Sequence, residues 1–370
     1  MTARGIMHYH FYIISIVYLG CLSILSGPGN GALVHAQPQP CGGPAFARVG
    51  NKFYLHGGAI IADNLLQHFW ELDLTIPWNT TAPAWSNLPL GPGNAYHSAG
   101  YSADNNSFII FGRDTGALPE VVTPNWINVY DITTKVWSFG TNPPSLVETS
   151  RRDFYVVSNP DANKIYILGG NAGVEGTISS NAFDVYDPDS RSMTETPTPL
   201  PGPQDISTYS AVWVPRLKAM LVIGGHQANV KGNPFQGVYL YHPATGSWTT
   251  QVDTDGSLVA MFSGFIHYPG TGEPFVYILD TVTWTWTTKP SQGRGRGNAA
   301  CTIADDTFII WGGFYNAPNT VNGVPTGAEA LLLFSLSRKE WLTTYTPDPA
   351  IANRGGGRGG GNGGSNISVA

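Results

Sequence analysis

The stretch AMLVIGGHQANVKGNPFQGVYLYHPATGSW, residues 219–248, carries three marks in a fixed order. An apolar run closes on Gly224 and Gly225. A second run, Tyr239 to Tyr241, ends on His242. Trp248 follows six residues later. Working outward, the first mark recurs at Gly57-Gly58, Gly112-Arg113, Gly169-Gly170 and Gly312-Gly313, mostly at intervals of about 55 residues. The second recurs at Trp70–Asp73, Val129–Asp131, Val185–Asp187, Tyr277–Asp280 and Leu333–Ser335. The third recurs at Trp137, Trp286 and Trp341; Met193 replaces it in one unit, and Trp85 arrives late after an insertion holding Pro77. The gap from Gly225 to Gly312 is about 90 residues and contains a unit whose glycine pair is reduced to Ser263-Gly264.

Self-similarity at this period is the signature of a repeat architecture. Each unit reads as four short strands joined by tight turns, hence one small antiparallel sheet. Such a sheet cannot bury both faces alone; packing the sheets face to face around an axis buries both. The glycine pair allows positive φ and close backbone approach. The Tyr and Trp give large apolar bodies between sheets, and the Asp satisfies donors in the following turn. The units run over about 44–87, 88–142, 143–200, 201–252, 253–290 and 291–346. The fifth is short and has no clean first strand: either it is degenerate or residues are missing from it.

Glycine pair, Tyr-Asp and Trp in this order resemble the kelch repeat of kelch and galactose-oxidase central-domain propellers, over about residues 44–346. The resemblance implies an all-β fold, a six-bladed kelch-type β-propeller with four-stranded antiparallel blades. It leaves function open, because such propellers serve as binding modules and as enzymes.

The ends frame this domain. Residues 1–36 read as a secretory signal: Arg4, then the uncharged FYIISIVYLGCLSIL (Phe11–Leu25), then Val34-His35-Ala36 as the cleavage site. The apolar run is short for a membrane span. The propeller is expected over 37–346. Residues 347–370 hold RGGGRGGGNGGS from Arg354 and are expected to be a flexible tail that adds no strand. Secretion to the exterior or the cell surface follows, with membrane attachment only if an anchor lies beyond residue 370. Asn79, Asn105 and Asn366 begin glycosylation sequons. Cys41 and Cys301 remain after cleavage and are expected to form a disulfide across the seam between first and last blades. With no strand left over, the first and last blades are expected to meet face to face without strand exchange.

Charge and chemistry narrow the function. Charged residues make up 12% of the chain and the net charge is −6, which argues against a nucleic-acid partner. The copper site of galactose oxidase needs Tyr and His ligands and a Tyr joined to a Cys; the resemblance supplies neither the Cys in the early blades nor the extra domain. His56, His97, His226 and His242 fall at different blade positions and make no metal-spaced pair on one strand. No metal, cofactor or catalytic residue is assigned. The residues leading into first strands are the candidate ligand-binding rim: Tyr96, His97, Arg151, Arg152, Tyr209, Arg294, Arg296 and Asn298. Arg and aromatic groups on one rim suit a glycan or a protein loop. The competing role for such an Arg is to tie the sheets together through backbone carbonyls. The expected function is a noncatalytic module binding an extracellular glycan or protein. The alternative is a copper-radical oxidase acting on a carbohydrate alcohol.

Overall fold

The computed structural model describes residues 36–60, 65–112, 125–139, 151, 154–172, 178–179, 182–196, 206–227, 238–250, 258–262, 275–280, 283–290, 296–315, 324, 327–349 and 367–369. The apolar leader lies outside them, as do Arg152, Arg294 and Asn366.

The chain is an all-β propeller with four-stranded antiparallel blades. Blade one pairs Ala45–Val49, Lys52–His56, Phe69–Asp73 and Trp85–Asn87 in sequence order. Blade two repeats the order with Ser98–Tyr101, Ser107–Phe111, Ile127–Asp131 and Val136–Phe139. The same meander recurs from Tyr155–Asn159 to Ser192–Glu195, from Ile206–Val214 to Ser247–Thr250, and from Ala300–Ala304 to Glu340–Leu342. Second strands such as Ser107–Phe111 are buried on both faces, since each lies between two neighbouring sheets. Outermost strands such as Ser192–Glu195 and Thr285–Pro290 are largely exposed and polar.

Among the described residues there is a sixth four-stranded sheet, and it departs from the expected pattern. Leu258–Phe262, Phe275–Asp280 and Thr285–Pro290 form an antiparallel trio between the fourth blade and the last. The innermost place is taken by Ile367–Val369 from the chain's end, running parallel to Leu258–Phe262. Two expectations are corrected here. The tail does contribute a strand, and this sheet is mixed where a wholly antiparallel one was expected. Ile367–Val369 also lies beside Ile206–Val214 and Ala300–Ala304, the innermost strands on either side.

Apolar packing joins each sheet to the next. Tyr54, Phe69, Phe108 and Tyr130 fill the space between the first and second blades. Tyr166, Phe183, Trp213 and Tyr241 do so between third and fourth. Leu221 and Leu279 meet next, followed by Ile278 with Phe308 and Phe334. The ring closes where Phe53, Leu55 and Trp85 pack on Trp311 and Leu333. Trp137 and Trp341, in the fourth strands of their blades, donate to Pro89 O at 3.2 Å and Pro290 O at 2.9 Å, which lie just past and at the end of the preceding blade's fourth strand. The acids that end third strands cap turns as expected: Asp73 Oδ1 accepts from Thr75 N at 2.8 Å and Asp131 Oδ1 from Thr134 N at 2.7 Å.

The seam between first and last blades is stitched by backbone, contrary to the expectation of face-to-face packing without strand exchange. Trp78–Asn79 pairs antiparallel with Thr344–Tyr345. Trp78 and Tyr345 stack with centroids 4.9 Å apart, and Tyr345 Oη donates to Leu74 O at 3.0 Å. Cys41 to Gly43 threads the same joint: Gly313 N donates to Cys41 O at 2.8 Å, and Gly43 N to Asn298 O at 2.9 Å. A Cβ on Gly312, whose φ is +66°, would stand 2.5 Å from Cys41 O. Only glycine fits there.

The expected disulfide is also corrected: Cys41 and Cys301 are free. Cys41 packs with Ala300 and Ala304, so it sits on the face of the last blade to which those alanines point. Cys301 lies one residue on from Ala300 and therefore points to the other face.

Candidate functional site

Of the eight rim residues expected from sequence, Arg151, Arg296 and His97 are buried. Arg151 is fully buried and pairs with Asp184 at 2.7 Å. Its guanidinium lies 5.6 Å from the ring centroids of both Trp126 and Phe154. Arg296 is 3% exposed and donates to the carbonyls of Gly312 and Glu329. Both therefore brace their own blades, close to the competing role named for such residues. Tyr96 is half-buried with φ at 51°, and its amide donates to Gly43 O at 2.8 Å. Asn298 is exposed. Tyr209 lies within the strand Ile206–Val214, its backbone opposite Gly224. Arg152 and Arg294 lie outside the described residues. Asn79 and Asn105 are exposed, so two of the three sequons present their asparagine to solvent.

His97 meets a partner that the sequence did not suggest. His56 ends the second strand of blade one, directly before Gly57; His97 directly precedes the first strand of blade two. Their rings approach with His56 Nδ1 2.8 Å from His97 Nε2, and both side chains are buried. Burial drives both imidazoles toward the neutral form: His97 falls to about 3, and His56 falls well below its usual value, helped by the neighbouring His97 and His68. His68 falls to about 4 through burial. The outward nitrogens, His56 Nε2 and His97 Nδ1, have no partner among the described residues. A Cβ on Gly91 would lie 2.1 Å from His56 Nε2, so the wall there is backbone. The pair spends its facing nitrogens on each other. Among the described residues no three His, Cys, Asp or Glu gather as metal ligands.

The roomier feature lies on the propeller axis. First strands from five sheets surround a cavity of about 450 Å³. Phe46, Tyr101, Tyr155 and Trp213 supply aromatic walls, while Arg48 and Thr302 supply polar groups. The mouth is marked by the turns between first and second strands, at Gly50, Asn105, Pro160 and Pro215. That is the end of the ring away from His97, Arg151 and Arg296, which lead into first strands.

Geometry holds the cavity open and sets its charge. Arg48 Nη1 donates to Ile303 O across the seam at 2.6 Å, and its Nε to Gly50 O at 3.0 Å. Both partners are carbonyls, and Arg48 is the one ionised side chain among the described lining residues. Ser158 Oγ accepts from Tyr101 N at 2.8 Å, tying the second and third blades beside the cavity. Burial, reinforced by nearby Cys301, holds the Tyr155 phenol protonated. Burial pushes the Cys301 thiol up to about 12, so it stands as a neutral thiol at neutral pH and not as a nucleophile. The arrangement offers aromatic faces, neutral hydroxyls and one guanidinium whose partners among the described residues are carbonyls. Such a lining is compatible with holding a ligand.

Sequence reasoning missed this site because it sought the ligand at the opposite rim. Alternation within first strands was the available signal: Phe46 and Arg48 share one side of a strand, as do Ala99 and Tyr101.

The sequence matches no family model and no curated protein. Among solved structures, that of YjhT is similar, with a TM-score of 0.57 at 12% identity, covering 83% of this chain and 98% of that one. At that identity what the two share is the β-propeller fold.

Proposed function

We propose that this chain is a secreted or cell-surface six-bladed kelch-type propeller that works as a noncatalytic binding module, taking an acidic glycan, free or protein-borne, at its axial cavity. The repeat of glycine pair, Tyr-Asp and Trp supports the kelch assignment, and the mixed sheet supports a count of six. The apolar leader and the exposed Asn79 and Asn105 sequons support an extracellular setting. The observation that carries the ligand class is the cavity itself, with Arg48 unneutralised among Tyr101, Tyr155 and Trp213. Aromatic faces stack on sugar rings, and a guanidinium without a carboxylate partner favours a carboxylate or sulfate on the ligand.

The test is a glycan array followed by titration calorimetry, using the secreted protein. The expected result is retention of carboxylated or sulfated glycans, with affinity lowered at least tenfold by Arg48→Gln and several-fold by Tyr101→Phe. Absence of glycan binding, or affinity indifferent to both changes, would sink the assignment.

A further inference from the structure

We propose that the inner edge of Leu258–Phe262 is a strand-acceptor site for a short extended peptide, and that the chain's own C-terminal segment Ile367–Val369 is its occupant. This inference is independent of the ligand assigned to the axial cavity.

Two separate observations carry it. The first is a vacancy in the repeat. Five blades draw their innermost strand from their own unit, whereas among the described residues this unit provides its innermost place with none. Leu258–Phe262 pairs on one side with Phe275–Asp280 and on the other with Ile367–Val369. Without the second pairing its amides and carbonyls would face the axis unpaired, an edge that templates the addition of another strand. The second observation is the fit of the occupant. Ile367–Val369 runs in register, Leu258 opposite Ile367, Val259 opposite Ser368 and Ala260 opposite Val369. It also lies beside the innermost strands of both neighbouring blades. Three residues thus complete a sheet and fill the gap in the inner wall.

The pairing is parallel, while every other innermost strand in the ring pairs antiparallel with its neighbour. A strand built in by a hairpin would be antiparallel, because a tight turn reverses the chain. A parallel strand must come from elsewhere, as a peptide added to an edge does. Recognition then rests on main-chain hydrogen bonds, with side chains at alternate positions setting preference. The segment is connected through the glycine-rich sequence 354–365. A short glycine-rich tether keeps an end near its site at an effective concentration on the order of millimolar, so even weak pairing is filled within the chain.

Two experiments on the full chain test the site. Ala260→Cys with Val369→Cys places thiols at register partners. Mild oxidation should cross-link them within one chain, dependent on both replacements; no cross-link, or one formed only between chains, overturns the proposal. In the second, Ile367→Pro and Ser368→Pro are made together. Successive amides in a strand alternate between the two edges, so two consecutive prolines remove one that faces Leu258–Phe262. A peptide of sequence SNISVA, residues 365–370, should bind this variant saturably and the unaltered chain at least tenfold more weakly. Asn366→Gln, which removes the sequon and keeps the strand, should behave as the unaltered chain. Equal binding to variant and unaltered chain, or binding matched by a scrambled peptide, overturns the proposal. So does failure of the variant to bind.

Discussion

At the scale of the residue, Arg151 shows how a feature that reads as a binding group becomes a brace. Its pairing with Asp184 takes place with neither side chain open to water, which makes the charge costly to leave alone. Trp126 and Phe154 flank the guanidinium and give it polarisable faces. Replacement by Ala strands the Asp184 carboxylate in a buried place, and the expected cost is about 3–5 kcal/mol, the range for breaking a buried pair. Arg151→Met with Asp184→Leu removes both charges and should recover most of that loss. Urea midpoints of the three variants measure it. A loss under about 1 kcal/mol for Arg151→Ala would mean that the pair does not stabilise this blade. Ligand affinity at the axial cavity should be unchanged in the double variant, since neither residue lines the cavity.

At the scale of the element, the seam is a joint between two strands only two residues long, Trp78–Asn79 and Thr344–Tyr345, fixed by one aromatic stack. Tyr345 is buried, and its hydroxyl reaches Leu74 O in blade one and Asp305 in the last blade. Tyr345→Ala should therefore cost about 3–5 kcal/mol, as large-to-small changes in aromatic cores do. Tyr345→Phe, which keeps the stack and loses the hydrogen bonds, should cost about 1 kcal/mol. Equal effects of the two changes on the urea midpoint would place the strength of the joint in the hydroxyl and not in the ring. The same scale explains what was legible in the sequence. Gly57-Gly58, Asp131 and Trp137 are read correctly because each acts within a few residues of itself or at a fixed step to the next sheet. Ile367–Val369 is not, because three residues beyond a glycine-rich run carry no periodicity of their own. The cysteines mislead because proximity of two strands was judged without parity: Ala300 faces Cys41, so Cys301 cannot. His56 and His97 lie 41 residues apart, and only the meeting of one unit's second-strand end with the next unit's first-strand start reveals them as a pair.

At the scale of the whole molecule, the ring behaves as one body toward acid, and the buried imidazoles set where it fails. His56, His68 and His97 are all held neutral, with His68 lowered to about 4 and His97 to about 3. In the unfolded chain each returns to about 6.5. Above that value neither state binds these protons, and the three contribute no pH dependence. As pH falls below about 6.5 the unfolded chain takes up protons that the folded ring refuses, so stability falls. The slope is about 1.4 kcal/mol per pH unit for each such proton. It persists until His68, near 4, and then His97, near 3, protonate in the folded state. The lowered carboxylates Asp73 and Asp187 add a loss of the same sign, but only at lower pH, as it drops through the ordinary carboxylate range. The window from 6 to 4.5 therefore belongs to the histidines. Urea midpoints measured across it should fall steeply in the unaltered protein. His56→Gln with His97→Gln should flatten that fall by up to two protons, whatever it does to stability at pH 7. A fall of undiminished slope in the double variant would show that the protons responsible bind elsewhere.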